Sequence, residues 1–267
     1  MKNDFLETKE DKIDSLFASC NNEDEKNLIY DLLEKFVTLN VDKYNMLLNH
    51  MVDYIVDLNL DYSITQIVAT SMDSEADSSQ GVLQAIKHKL AERDIYNFTT
   101  VNDFNKSVQN YHKGLTNIIV VDELVGSGKT VKNREKTFVE RIQMENEYNL
   151  HFVYLAGVEY FVEKIKESGI NIFCAFPLKR GISDFFQGEE LENRCLRMLE
   201  MEARLAPQIN EKELSDYSFG YGKAEALYTA ESCLNNTPNS VFPIFWWKRD
   251  NNFSRRNTLF TRYEKGF

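Results

Sequence analysis

The 267-residue chain has four cysteines, Cys20, Cys174, Cys195 and Cys233, and no two of them form a CxxC or sit beside a histidine at ligand spacing. Structural zinc sites need such clusters, so these read as reduced thiols and not as a metal centre. The four histidines, His50, His88, His112 and His151, show no triad-like grouping. No apolar run approaches the length of a membrane span. The opening stretch MKNDFLETKED is polar and acidic and lacks the apolar core of a leader, which gives the expectation of a cytoplasmic, bacterial-type protein. The N-x-T sequons at Asn97 and Asn235 then carry no meaning. Positive charge is scarce: 31 Lys and Arg stand against 42 Asp and Glu, a net charge of −11. That balance supplies no global field for gripping nucleic acid, so strong direct nucleic-acid binding is not expected, although a local basic patch can still exist.

What the chain does have is apolar residue content, 43%, enough for a sizeable core. Its organising stretch is Asn117–Thr130, NIIVVDELVGSGKT. The β-branched run Ile118–Val121 suits a strand buried on both faces of a parallel sheet. Asp122 and Glu123 are placed at its carboxyl end, followed by a loop of small residues, Gly126, Ser127 and Gly128, then Lys129 and Thr130. In open α/β sheets ligands bind outside the carboxyl ends of strands, where a helix begins. Curled backbone amides and the helix dipole favour an anion there. The stretch is not a Walker A loop: in G-x-x-x-x-G-K-[ST] the opening glycine would fall on Glu123, an acid.

The run I-I-V-V-D-E-L-V-G-S-G-K-T resembles the type I phosphoribosyltransferase signature, in which an apolar strand ends in two acids and a small-residue loop closes on Thr or Ser. The resemblance implies that Asp122 and Glu123 accept hydrogen bonds from the vicinal hydroxyls of a ribose, and that Gly126, Ser127, Gly128, Lys129 and Thr130 hold its 5-phosphate. The family usually has Asp at the second acid, so Glu123 departs from it; Lys129 is also less usual. The alternative is an ordinary strand-to-helix turn with an exposed acidic pair.

Taken in order, Ile13, Leu16 and Phe17 can cover one face of a helical turn within the polar residues 1–22. Asn22 or Asp24 caps a helix carrying Leu28, Ile29, Leu32, Leu33 and Phe36. A second helix runs from about Asp42 to Asp57. The acids of the first helix argue against a DNA-reading helix-turn-helix. Strands are expected at Ile64–Thr70, Ile95–Val101, Leu150–Ala156 and Ile170–Phe176, alternating with helices near Ser79–Arg93, Thr130–Glu147 and Val158–Glu167; a polar linker precedes the central strand. The loop after the first strand carries Asp73, Glu75 and Asp77. In the resembled family it contacts the pyrophosphate of phosphoribosyl pyrophosphate, so either magnesium bridges these acids or Ser78 and Ser79 face the ligand; a solvated turn with Ser78 as N-cap is the alternative. Lys179 and Arg180 can hold anionic groups or form a solvated turn. A charged helix, Glu189–Leu205, ends at Pro207.

The tail carries Gly220-Tyr221-Gly222, a short strand pattern at Ala226–Ser232, the turn Asn236–Asn239, Pro243-Ile244-Phe245-Trp246, and Leu259-Phe260 with Arg262. Trp246 and Trp247 either stack on a base or ribose or seal a terminal hairpin. These segments resemble a divergent phosphoribosyltransferase-like group of bacterial conflict and defence systems, some members of which accompany the reverse transcriptases of retrons.

The expected fold is α/β: a doubly wound, mostly parallel sheet of phosphoribosyltransferase type, with an N-terminal helical extension (1–60), a core (61–206) and a C-terminal strand or hairpin extension (207–267). The resemblance implies a ribose-phosphate or nucleotide ligand accompanied by Mg2+, and either phosphoribosyl transfer or N-glycosidic cleavage in an anti-phage effector. It also implies a reverse transcriptase or other defence-system partner; the absence of a long apolar run gives the expectation of no membrane. The alternative function is a sugar-phosphate sensor without turnover.

Overall fold

A computed structural model describes residues 8–72, 77–143 and 147–263. The chain forms two compact units, Met1–Val41 with Leu178–Phe267, and Asp42–Pro177. The sequence reading had divided it at residues 60 and 206 instead.

The unit Asp42–Pro177 carries the sheet. Two-residue β1, Val37–Thr38, precedes it in the chain, and the sheet itself consists of β2 (Thr65–Ala69), β3 (Thr99–Val101), β4 (Asn117–Val125), β5 (Asn149–Val158) and β6 (Asn171–Leu178), in the order β3-β2-β4-β5-β6. β2 pairs in parallel with β3 and with β4, and β4 in parallel with β5. The β-branched strands are buried on both faces, which is why they read as unbroken apolar runs. Alternation sorts the side chains. Val68, Ile118, Val120 and Phe152 form one cluster with Phe104, Val108, Phe138, Ile142 and Ile165, from the helices Phe104–Tyr111, Lys129–Ile142 and Glu159–Glu167. On the opposite parity, Phe173 stacks on Tyr54 of the helix Val41–Asp57, with ring centroids 4.4 Å apart. The α/β architecture and parallel sheet are those the strand–helix alternation predicts.

Several local expectations are corrected. The strand expected at Ile95–Val101 shrinks to Thr99–Val101, and the supposed linker after it is a helix, Phe104–Tyr111, capped by Asp103. Its buried Phe104, Val108 and Tyr111 repeat at helical spacing. β4 does not stop at Val121 but carries both acids within it. The N-cap before Ser78–Ala91 is Asp77, not Ser78. The strand expected at Ala226–Ser232 contracts to two residues, Tyr228–Thr229, paired in parallel with β1. Met144, placed in the apolar stripe of the helix after β4, lies outside the described residues.

In the unit built from the chain's two ends, the helix Glu23–Glu34 is capped by Asn22 and buries Leu28, Ile29, Leu32 and Leu33, as its spacing predicts. Its acids have a specific use: Asp24, Glu25 and Asp31 pair with Arg197, Arg204 and Arg194 at 2.9, 2.6 and 2.6 Å. Two of these arginines lie on the helix Gly188–Glu202 and the third follows it. Trp246 and Trp247 are fully buried, their indole N–H groups donating to Val241 O and Ala206 O. They are core residues, and stacking on a base or ribose is ruled out for this conformation. The Asn236–Asn239 turn is structural too: Arg262 donates to Thr237 O, and Tyr221 N–H to Asn239 O. Among the described residues no helix is long and apolar enough to cross a membrane.

Candidate functional site at the carboxyl rim of the sheet

The strand order reverses between β2 and β4, because the chain leaves β2 toward β3 on one side and returns on the other. Such a switch point opens a crevice at the carboxyl ends of the two strands. There the Thr70 hydroxyl donates to Asp122 Oδ2 at 2.5 Å. Register explains the meeting: Ala69 lies opposite Val121, so Thr70 follows opposite Asp122. The other carboxylate oxygen, Oδ1, accepts the Glu123 N–H at 2.7 Å. On the far side Asp122 is in register with Tyr154, a buried phenol whose Oη finds no hydrogen-bond partner among the described residues.

This apolar flank sets the electrostatics. Burial pushes the Asp122 carboxyl up to about 6, against the lowering effect of the Thr70 and Glu123 hydrogen bonds and of the Arg134 charge; the Asp77 charge adds a further upward push. Burial, and then the Asp122 charge, also drive Tyr154 well above the usual phenol range, so it stays neutral. Cys174 is raised to about 12 by burial, which leaves it an inert thiol.

Arg134 completes the group. Its Nε donates to Thr70 O at 2.8 Å, and its guanidinium lies 5.6 Å from the Phe104 ring centroid. The segment after β2 is held further by Phe104 N–H on Ser71 O at 2.7 Å and Asn105 Nδ2 on Met72 O at 2.9 Å. The rim therefore comes pre-shaped, with Thr70 joining a cation to a carboxylate.

The small-residue loop leads into the helix Lys129–Ile142, whose N-cap is Gly128 at φ 75°, with no side chain capping it. The first-turn N–H groups of a helix have no partner within it, so this end presents donors and a positive dipole. Ser127 is half-buried, while Lys129 and Thr130 are exposed. A Cβ at position 128 would lie 2.6 Å from Ile165 Cδ1, in a conformation L-residues disfavour. Gly128→Ala is expected to cost about 1–2 kcal/mol, a fall of roughly 3–6 °C in melting temperature, and to weaken phosphate-ligand binding; an unchanged melting curve would contradict this geometry.

The other candidates fall in varied places. Asp122 is half-buried, but Glu123 is 2% exposed. As neighbours in an extended strand their side chains leave opposite faces, so the two carboxylates are not brought together. Ser79 is buried, its hydroxyl and N–H both committed to Asp77 Oδ1 at 2.5 and 2.9 Å; Ser78 is half-buried. Asp73 and Glu75 lie outside the described residues. Lys179 is exposed, and Arg180 is clamped to Asp184 by its own N–H, Nε and Nη2 at 2.7, 2.9 and 2.7 Å; both belong to the other compact unit.

Sequence reasoning missed Thr70 and Arg134. A signal for Arg134 existed: Val131, Arg134, Phe138 and Ile142 share one helical stripe, so a cation stood at a sheet-facing position. No cluster of three or more His, Cys, Asp or Glu among the described residues could hold a metal. Magnesium keeps water and phosphate ligands and needs only one or two carboxylates; at this rim Asp122 is the residue that fits it.

No curated protein matches the chain. Solved structures similar to it include the hypoxanthine-guanine phosphoribosyltransferase of Schistosoma mansoni in complex with IMP, at 14% identity and TM-score 0.33, covering 51% of this chain and 62% of that one. Another is the Leishmania tarentolae HGPRT-ase in complex with GMP, at 13% identity, TM-score 0.34 and coverage of 52% and 76%. The orotate phosphoribosyltransferase of Aeropyrum pernix follows at 10% identity, TM-score 0.30 and coverage of 48% and 69%. The chain thus spans less than two thirds of the Schistosoma protein, and likenesses this distant carry no functional argument. The family evidence comes from sequence: the PRTase-CE profile matches residues 19–262. On that match, which takes in most of its length, the chain belongs to the PRTase-CE family and is a phosphoribosyltransferase-like protein.

Proposed function

We propose that the chain binds a 5-phosphorylated ribose, as phosphoribosyl pyrophosphate or a nucleotide, and acts at its anomeric carbon as a nucleotide-modifying effector of a bacterial anti-phage system such as a retron. The observation that carries the ligand class is the Thr70–Asp122 pair at the switch point, beside a helix N-terminus that no side chain caps. The sugar hydroxyls donate to Asp122, and the 5-phosphate rests on the amides and hydroxyls of Gly126–Thr130. Arg134, anchored on Thr70, adds positive charge near the ligand's anionic groups. Reactions through an oxocarbenium-like centre are driven by positioning and electrostatics, so no nucleophilic side chain is required. Magnesium carried in with the ligand would offset phosphate charge, with Asp122 as its protein contact. The defence role and a nucleoprotein partner rest on the resemblance of the tail segments.

The second reading is a sensor without turnover. It is favoured by Ser79 and Asp77, which cap a helix with groups a pyrophosphate contact would need. Titration calorimetry with phosphoribosyl pyrophosphate, ribose 5-phosphate and nucleoside triphosphates, beside a chromatographic product assay, separates the two. Ribose-phosphate binding with loss of pyrophosphate or free base supports the enzyme. Binding without product selects the sensor, and no binding to any of these ligands removes both.

A further inference from the structure

The unit formed by the chain's two ends contains a cleft of about 710 Å3 that is lined by Lys12, Lys248, Arg249, Arg255 and Arg256 and, among the described residues, by no carboxylate. Five cations converging on one concavity are unexpected in a chain of net charge −11. Their mutual repulsion is a cost that a bound anion relieves.

The cations are held there by the backbone. Arg249 and Arg255 face each other across an antiparallel bridge, and Arg256 N–H donates to Lys248 O at 2.9 Å. The turn between them is fixed by Asp250, whose Oδ1 accepts the N–H groups of Asn252 and Ser254 at 2.9 and 2.8 Å. The hairpin thus sets four cations on neighbouring rungs, and the helix Glu10–Ala18 supplies Lys12. Arg256 is the half-buried anchor, donating to Trp247 O at 2.7 Å and Ile244 O at 3.0 Å. Burial lowers it to about 10, so it remains a cation at neutral pH. The side chains of Lys12, Lys248 and Arg255 have no ion-pair or hydrogen-bond partner among the described residues.

The lining also specifies the ligand. Asn257, Thr258 and Thr261 add polar groups, and among the described liners Ile209 is the one apolar residue and none is aromatic. Single-stranded nucleic-acid sites combine basic grooves with stacking aromatics. The described liners of this cleft include no such ring, and its volume is that of a small-ligand site. We infer that it is a second anion site, for a small ligand carrying a chain of two or more phosphates. Arg and Lys at several angles suit such a chain, Arg by paired hydrogen bonds and Lys as a point charge.

The test is calorimetric titration of the full chain with inorganic tripolyphosphate, with ATP, and with a 20-nucleotide single strand. Saturable one-to-one binding of tripolyphosphate is expected, together with an ATP site that survives Gly128→Ala, both weakened about tenfold or more in Lys248→Ala/Arg255→Ala and in Lys12→Glu. Lys12→Glu alters a different segment, so agreement between the two variants excludes a folding artefact, and unchanged melting curves confirm it. Three results overturn the inference: no saturable binding, tripolyphosphate binding that Gly128→Ala abolishes while the cleft variants leave it intact, or a strand that binds far more tightly than ATP.

Discussion

Asp122→Asn is expected to melt at higher temperature than the wild type near neutral pH while losing ribose 5-phosphate affinity. The cause is the raised carboxyl, about 6 in the fold against 3.8 ordinarily. Between those values the folded state holds a proton that the unfolded chain has released. Stability from the protonated form is therefore full below pH 3.8 and is lost as pH rises through about 6. Above that, the wild type carries an ionised, poorly solvated carboxylate at a cost of about 2–3 kcal/mol. Asparagine does not titrate. Its oxygen can accept the Glu123 N–H and its amide can donate to Thr70, so the variant keeps both hydrogen bonds and gains roughly 5–10 °C at pH 7.5. The gain should vanish below pH 4. Binding moves the other way, because hydrogen bonds to a charged acceptor are worth about 1.5–3 kcal/mol, so affinity should fall at least about tenfold. Wild-type binding should weaken as pH drops through about 6. Parallel melting and titration series over pH check both halves; a variant that melts lower at every pH would refute the electrostatic account.

The largest stability loss is expected from Gly220→Ala. A Cβ there would lie 1.9 Å from Ser240 O and 2.5 Å from its carbonyl carbon. Neither atom is free to move: Ser240 O accepts the Ala226 N–H, and the adjoining Tyr221 N–H donates to Asn239 O. Gly220 also sits at φ 78°, which a side chain strains further. The segments carrying Tyr217 and Trp246, whose rings meet edge to face at 5.6 Å, would have to separate. A loss of about 3–5 kcal/mol follows, roughly 10 °C in melting temperature. Thermal unfolding by circular dichroism measures it; a shift within experimental scatter would mean the close approach is not real.

These two residues show how legibility varied along the chain. The central strands were readable because burial on both faces leaves an unbroken β-branched run. The helix Phe104–Tyr111 was readable in principle, through its Asp103 cap and apolar spacing, but its polar residues made it look like a linker. The pairing of Val37–Thr38 with Tyr228–Thr229 was not readable, since two-residue strands so distant in sequence leave no local pattern. At the site, Asp122 and the loop to Thr130 were found from one contiguous stretch. Thr70 became a partner only through strand register, and Arg134 through a helix face. The expected pairing of Asp122 with Glu123 gave no warning that strand alternation would part them, because β4 runs on to Val125.

The most direct test is a crystal structure of the protein soaked with ribose 5-phosphate. The account predicts the phosphate on the amides of Gly126–Thr130 and a ribose hydroxyl within hydrogen-bond distance of Asp122. Sugar density that leaves this rim empty, or a phosphate found solely in the basic cleft around Lys248 and Arg255, would contradict it.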